Sequence, residues 1–218
     1  MKKRIWLGLS ATVLVIALAG CPGTETYPTL DGTWVRLIEM PGFGTGTPDE
    51  ASINFNNGNW QSYINNEPEM RGTFTANNSI LTQTVTEIHR NAADITLDFL
   101  FGTLYFVIED AIDFPESAGF EIPPDLDLIS LQEYLSNFSI PDGWHTESDL
   151  RNEVEKQLPA DLILFYNIAF EEAGETFDNT LDEILAEAFA PITRTYVLDG
   201  NTLTLTFPGG RPDEYTRR

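Results

Sequence analysis

TRTYVLDGNTLTLTF, residues 193–207, decides how this chain folds. Asp199-Gly200 is a tight-turn dipeptide between two apolar-rich runs. After the turn, Leu203, Leu205 and Phe207 point one way, and Thr202, Thr204 and Thr206 point the other. The segment therefore reads as a β-hairpin. A lone hairpin is marginal in water and needs further strands or a helix to pack on. Tyr215-Thr216-Arg217, after a Pro/Gly turn, adds one short strand. The remaining partners have to come from far upstream.

They are found in residues 30 to about 90. Leu30 to Ile38 begins with a turn and runs into a β-rich segment. A Gly/Pro loop follows from Pro41 to Pro48. Ile53 and Phe55 alternate with Ser52 and Asn54, Asn57-Gly58 turns, and Trp60 to Ile64 returns as the partner strand. Met70, Gly72, Phe74 and Ala76 alternate with Arg71, Thr73 and Thr75, the period of a sheet with one buried face. Asn77-Asn78 turns again, and Thr82, Thr84 and Thr86 give the next strand a polar face.

Between the two β blocks the composition changes. Residues 95–108 are strongly apolar, and periodicity does not decide between strands and a buried helix. Residues 109–190 hold 21 acidic residues against two basic ones, Arg151 and Lys156. Ser130-Leu131-Gln132-Glu133 and Thr180-Leu181-Asp182-Glu183 match capping boxes. Leu150, Val154 and Leu158 share a helical face, Pro159 suits the first turn of a helix to about Glu172, and Gly174 is its expected stop. The expected architecture is mainly β with a helical insertion: a small antiparallel barrel built from both ends of the mature chain, interrupted by an acidic helical block at about 109–190. The alternative is a β domain followed by a helical domain, with the last hairpin packed separately.

The first twenty residues have another purpose. Lys2, Lys3 and Arg4 precede an apolar run from Ile5 to Leu18, then Ala19, Gly20 and the chain's single cysteine, Cys21. This is a secretory signal layout, too short and too soon followed by Pro22-Gly23 for a good membrane span. Leu18-Ala19-Gly20-Cys21 resembles the bacterial lipobox. The resemblance implies a diacylglyceryl group on the Cys21 thiol, cleavage before it, and a third acyl chain on the new amino group. Each buried methylene contributes about 0.8 kcal/mol, so two or three chains on one residue hold the protein at a membrane. Pro22 stands where an Asp is the familiar inner-membrane retention signal, which favours the outer membrane. Residues 22–29 form a polar tether of at most about 25 Å.

A second resemblance covers about 100 residues in two pieces. Asp31-Gly32-Thr33-Trp34, short threonine-rich strands, and the run Tyr196 to Leu205 are similar to bacterial lipocalin-like domains, small calycin-type barrels frequently carried by lipoproteins. There a Gly-x-Trp on the first strand closes the barrel floor, and an arginine from the last strand packs over the tryptophan. Gly32 and Trp34 match the first part. Arg217 is the candidate for the second, with Arg194 and Arg211 as alternatives.

Chemistry is sparse. A mature chain from Cys21 carries nine Lys+Arg against 34 Asp+Glu, a net of −25, so nucleic acid is not an expected partner. With one cysteine, claimed by the anchor, there is no disulfide framework or thiol nucleophile. His89 and His145 lack partners at zinc-ligand spacing, and both read as surface or loop residues. No Gly-x-Ser-x-Gly elbow or phosphate loop is present. Asp125 and Asp127 resemble the start of a Ca²⁺ loop, without the glycine and glutamate that complete it. No catalytic residue, metal or cofactor is therefore expected. Trp34, Phe55, Trp60, Phe74, Tyr196 and Phe207 either fill the barrel core or line a ligand cavity. The expectation is a non-enzymatic envelope lipoprotein that binds a small apolar ligand or a cationic envelope protein; alternatively the acidic block is the interaction module and the barrel only its scaffold. Cys21→Ala is expected to move the protein from the membrane pellet to the soluble fraction, as read by fractionation after a high-salt wash.

Overall fold

The computed structural model describes residues 30–38, 49–77, 79–114, 120 and 122–218. The leader, Cys21, the tether, the Pro41–Pro48 loop and Asn78 lie outside the described residues. The chain runs β1 (Gly32–Ile38), β2 (Asp49–Asn56), β3 (Asn59–Ile64), β4 (Glu67–Asn77) and β5 (Ile80–His89). It continues with α1 (Arg90–Asp113), α2 (Leu128–Asn137), β6 (Trp144–His145), α3 (Glu147–Gln157), α4 (Ala160–Ala169) and α5 (Phe177–Ala188). It ends with β7 (Ile192–Asp199), β8 (Thr202–Thr206) and β9 (Pro212–Arg217).

Eight strands close into an antiparallel barrel in the cyclic order β1-β2-β3-β4-β5-β7-β8-β9. The circle shuts where Trp34 pairs with Arg217 and Val35 with Thr216. Closure gives each of the eight strands a hydrogen-bonded neighbour on both sides, and β5 runs on past Gln83, where its pairing with β7 stops. The two-residue β6 lies against the end of β5. The 193–207 hairpin is thus stabilised by neighbours on both sides, β5 and β9.

Local chemistry sets the turns. Asn57 and Gly58 both have positive φ, as a two-residue turn matched to strand twist requires. Asn65 and Asn66 make the β3–β4 turn in the same left-handed region, which asparagine tolerates better than most residues. Inside the barrel, Trp34, Phe55, Leu81, Leu203 and Leu205 are at most 1% exposed. Gly72 sits at a register irregularity between β4 and β5. A Cβ there would meet the Thr84 carbonyl oxygen at 1.8 Å. That same oxygen accepts the Trp60 indole N–H at 3.3 Å.

The helical excursion begins at Arg90 rather than near 109, because the apolar stretch 95–108 is helix. Leu97, Leu100, Phe101, Leu104, Ile108 and Ala111 are buried at helical spacing along α1 and join the barrel's apolar cluster. Caps also shift. Asp127, not Ser130, caps α2 by accepting from the Ser130 N–H. Thr146 and Asp149 form a reciprocal capping box on α3. Thr176, not Thr180, caps α5. Thr180 lies within the first turn, its hydroxyl 2.8 Å from that of Tyr166. The helix after Pro159 stops at Ala169, and a 3₁₀ turn, Glu171–Ala173, carries the chain to Gly174. For α2 and α5 the cap lies about one turn upstream of the motif read from sequence, since a Ser/Thr-x-x-Glu pattern also occurs within a first turn.

Gly72→Ala is expected to lower stability by about 3 kcal/mol, because a methyl group aimed at a ladder carbonyl forces β4 and β5 apart. Thermal unfolding followed by circular dichroism checks it.

Candidate functional site

The barrel floor is built around Trp34, which is fully buried. Its indole N–H donates to the Leu30 carbonyl at 2.8 Å. The Arg217 guanidinium carbon lies 5.0 Å from the Trp34 ring centroid, and Arg217 donates to the Asp31 carbonyl. Gly32, at φ +132°, makes room: a Cβ there would come within 3.2 Å of Arg217 Nε. Arg194 is elsewhere, on β7, with its guanidinium 4.3 Å from the Phe207 ring centroid. Arg211 is an exposed residue in the turn before β9.

Of the six aromatics considered as core or cavity lining, four are packed. Trp34, Phe55, Trp60 and Phe74 are between 0 and 4% exposed. Phe55 and Phe74 meet edge-to-face at 4.9 Å between centroids. Tyr196 is half-buried against the same cluster. Phe207 differs: it is 43% exposed, beyond the end of β8.

The interior also holds charge. Arg36 pairs with Asp213 and lies 5.4 Å from the Tyr215 ring centroid. Burial pushes the Tyr215 hydroxyl up and the Arg194 guanidinium down from their ordinary pKa values. Gln83, opposite Phe74 and Ile192 across the sheet, is fully buried. Neither its amide oxygen nor its nitrogen has a hydrogen-bond partner among the described residues.

On the outer face, a polar cleft of about 330 Å³ is lined by Asn54, Asn56, Gln61, Arg71 and Thr73 among others. Arg71 forks onto Glu87 through hydrogen bonds of 2.6 and 2.8 Å and covers the Trp144 ring at 4.4 Å. Its charge is already neutralised. His89 Nε2 stands 3.8 Å from an Asp142 carboxylate oxygen, and its side chain is only 15% exposed. His145 Nε2 is 2.8 Å from the Pro141 carbonyl oxygen. Among the described residues no group of three or more His, Cys, Asp and Glu converges on a point.

The helical block shows a feature that sequence reasoning missed. On α1, Ile95, Phe99 and Phe106 are 67, 77 and 65% exposed. With Gly102 they stand at i, i+4, i+7 and i+11, one line along the helix. Among the described residues, nothing lies within 4 Å of where a Gly102 Cβ would be. At 100° per residue, Asp98 and Glu109 fall on one margin of this line and Asp110 on the other. These three carboxylates are exposed and have no basic partner among the described residues. Beside the buried Leu97–Ala111 stripe, α1 therefore has a second apolar face. Two apolar faces on one helix blur its periodicity, which is why 95–108 was undecidable from sequence.

Comparisons with protein-family models, curated proteins and solved structures find no match.

Gln83→Leu removes two unpartnered buried amide atoms and keeps the side-chain volume. It is expected to raise stability by about 1–2 kcal/mol, visible as a higher midpoint in urea unfolding.

Proposed function

We propose that this protein is a bacterial envelope lipoprotein, anchored through acyl chains on Cys21, that does no chemistry. Its folded body is a docking module for a cationic envelope partner, with the barrel as scaffold. The observation that carries this reading is the exposed apolar line on α1 bordered by unpaired carboxylates. Soluble surfaces rarely leave such a line uncovered, and those that do generally bind something. From Cys21 onward the chain carries nine Lys+Arg against 34 Asp+Glu, a net of −25 that steers cationic partners toward the body.

The anchoring half rests on the Leu18–Cys21 motif and the leader before it. The lipocalin-like half is supported by a closed eight-stranded barrel with Gly32, Trp34 and Arg217 gathered at its floor. The other reading, a small apolar ligand in the barrel, has less behind it, because the aromatics that would line such a cavity are packed against one another.

A photo-crosslinking amino acid placed at Phe106, Ile129, Leu164 or Asn54 in intact cells tests the docking half. The first three are exposed positions on the helical block, and Asn54 lies on the outer barrel face. A discrete adduct with a basic protein is expected from at least one helical position and not from Asn54. Adducts from Asn54 alone, or no protein adduct together with a small molecule found in the purified protein by mass spectrometry, would overturn it.

A further inference from the structure

We infer that the face of α1 along Ile95, Phe99, Gly102 and Phe106 is the seat of a basic amphipathic helix contributed by the partner; this rests on the docking reading above and specifies its site. Phe99, Gly102, Thr103 and Phe106 stand at i, i+3, i+4 and i+7. Four residues at that spacing form the hole into which a side chain of a packed helix inserts. Here the floor is glycine, with no described residue within 4 Å above it, and two phenylalanines wall the ends. The Thr103 hydroxyl is engaged with the Phe99 carbonyl at 2.7 Å, so its polar group is already satisfied. The hole therefore takes a large apolar side chain such as Leu or Phe. From Ile95 to Phe106 the line extends about 16 Å at 1.5 Å per residue, a match for three turns of helix.

The margins define the charge of the occupant. Asp98 and Glu109 on one side and Asp110 on the other would flank a helix lying on the line, at the places where lysine or arginine pairs across a helix–helix seam. A second copy of this chain would bring the same carboxylates against one another, and like charges there are repulsive. A bilayer with anionic head groups meets the same repulsion.

The test uses the full folded chain and an amphipathic helical peptide of about 20 residues with a leucine seam and lysines on both margins. A twin peptide carries glutamate in place of lysine. Calorimetric titration is expected to show the lysine peptide binding at least about tenfold tighter than its twin, with affinity falling as salt rises from about 0.1 to 0.5 M. Gly102→Leu fills the hole. It is expected to raise the melting temperature, because glycine is a poor residue for a helix interior and no described residue occupies that space, while weakening the lysine peptide by about tenfold or more. Misfolding cannot produce that combination.

Equal binding of the lysine peptide by the wild type and Gly102→Leu would overturn the inference, as would equal binding of the two peptides. A dimer in light scattering that Gly102→Leu abolishes, or sedimentation with phosphatidylcholine vesicles that Phe99→Ser abolishes, would assign the face to a second copy or to lipid and also overturn it. If the face fails while crosslinks from Ile129 or Leu164 persist, the acidic block still docks a protein, but elsewhere. Absence of every helical crosslink removes the docking reading itself.

Discussion

The fold depends on the contact between Trp34 and Arg217. The ends of the described chain meet where β1 runs beside β9: Trp34 and Val35 pair with Arg217 and Thr216, and the Arg218 N–H donates to the Thr33 carbonyl. Joining positions so distant in sequence costs loop-closure entropy, although that cost grows only logarithmically with length. Burying the whole of Trp34 offsets it: an indole covers about 200 Å², worth roughly 5 kcal/mol at 25 cal/mol/Å². The guanidinium over the ring and its bond to the Asp31 carbonyl add direction to that burial. Gly32 is part of the same contact, since any side chain there meets the arginine.

The other seam, β5 with β7, admits the helices. The chain leaves the barrel at His89 and re-enters at Ile192, which pairs with Gln83; β5 runs six residues past that pair, and the excursion's own β6 covers the last two, Ile88 and His89. The excursion is not a detached appendage. Ile88, Ala92, Ala93 and Leu97 continue the barrel's apolar cluster into the helices. α1 therefore has to satisfy a buried face toward its neighbours, and its remaining apolar residues are left outward. Barrel and helical block divide the work: tight packing in one, an uncovered apolar face with acidic margins in the other.

Much of this was legible in the sequence, for definable reasons. Strand alternation and the Asn57-Gly58 and Asp199-Gly200 turns are short-range signals, and they marked the hairpins. The short β6, the Asn65-Asn66 turn and the start of the helices at Arg90 were not read from it. β6 is only two residues long, and α1 is apolar on two sides. Gln83 looks like an ordinary strand polar residue until its inward direction is known, since alternation allows either face to be the core.

By itself the sequence determined the mainly β class, the participation of both chain ends, the acidic helical interlude and the strong negative charge. These follow from period, turn chemistry and composition, which are local or summed quantities. The lipid-anchor motif is likewise a sequence reading, and it lies outside the described residues. Only the tertiary structure decided that the sheet closes, that Arg217 rather than Arg194 or Arg211 covers Trp34, that the barrel aromatics are packed, and that Ile95, Phe99 and Phe106 stay uncovered. Those outcomes depend on which surfaces meet across long sequence separations, and no local pattern records that.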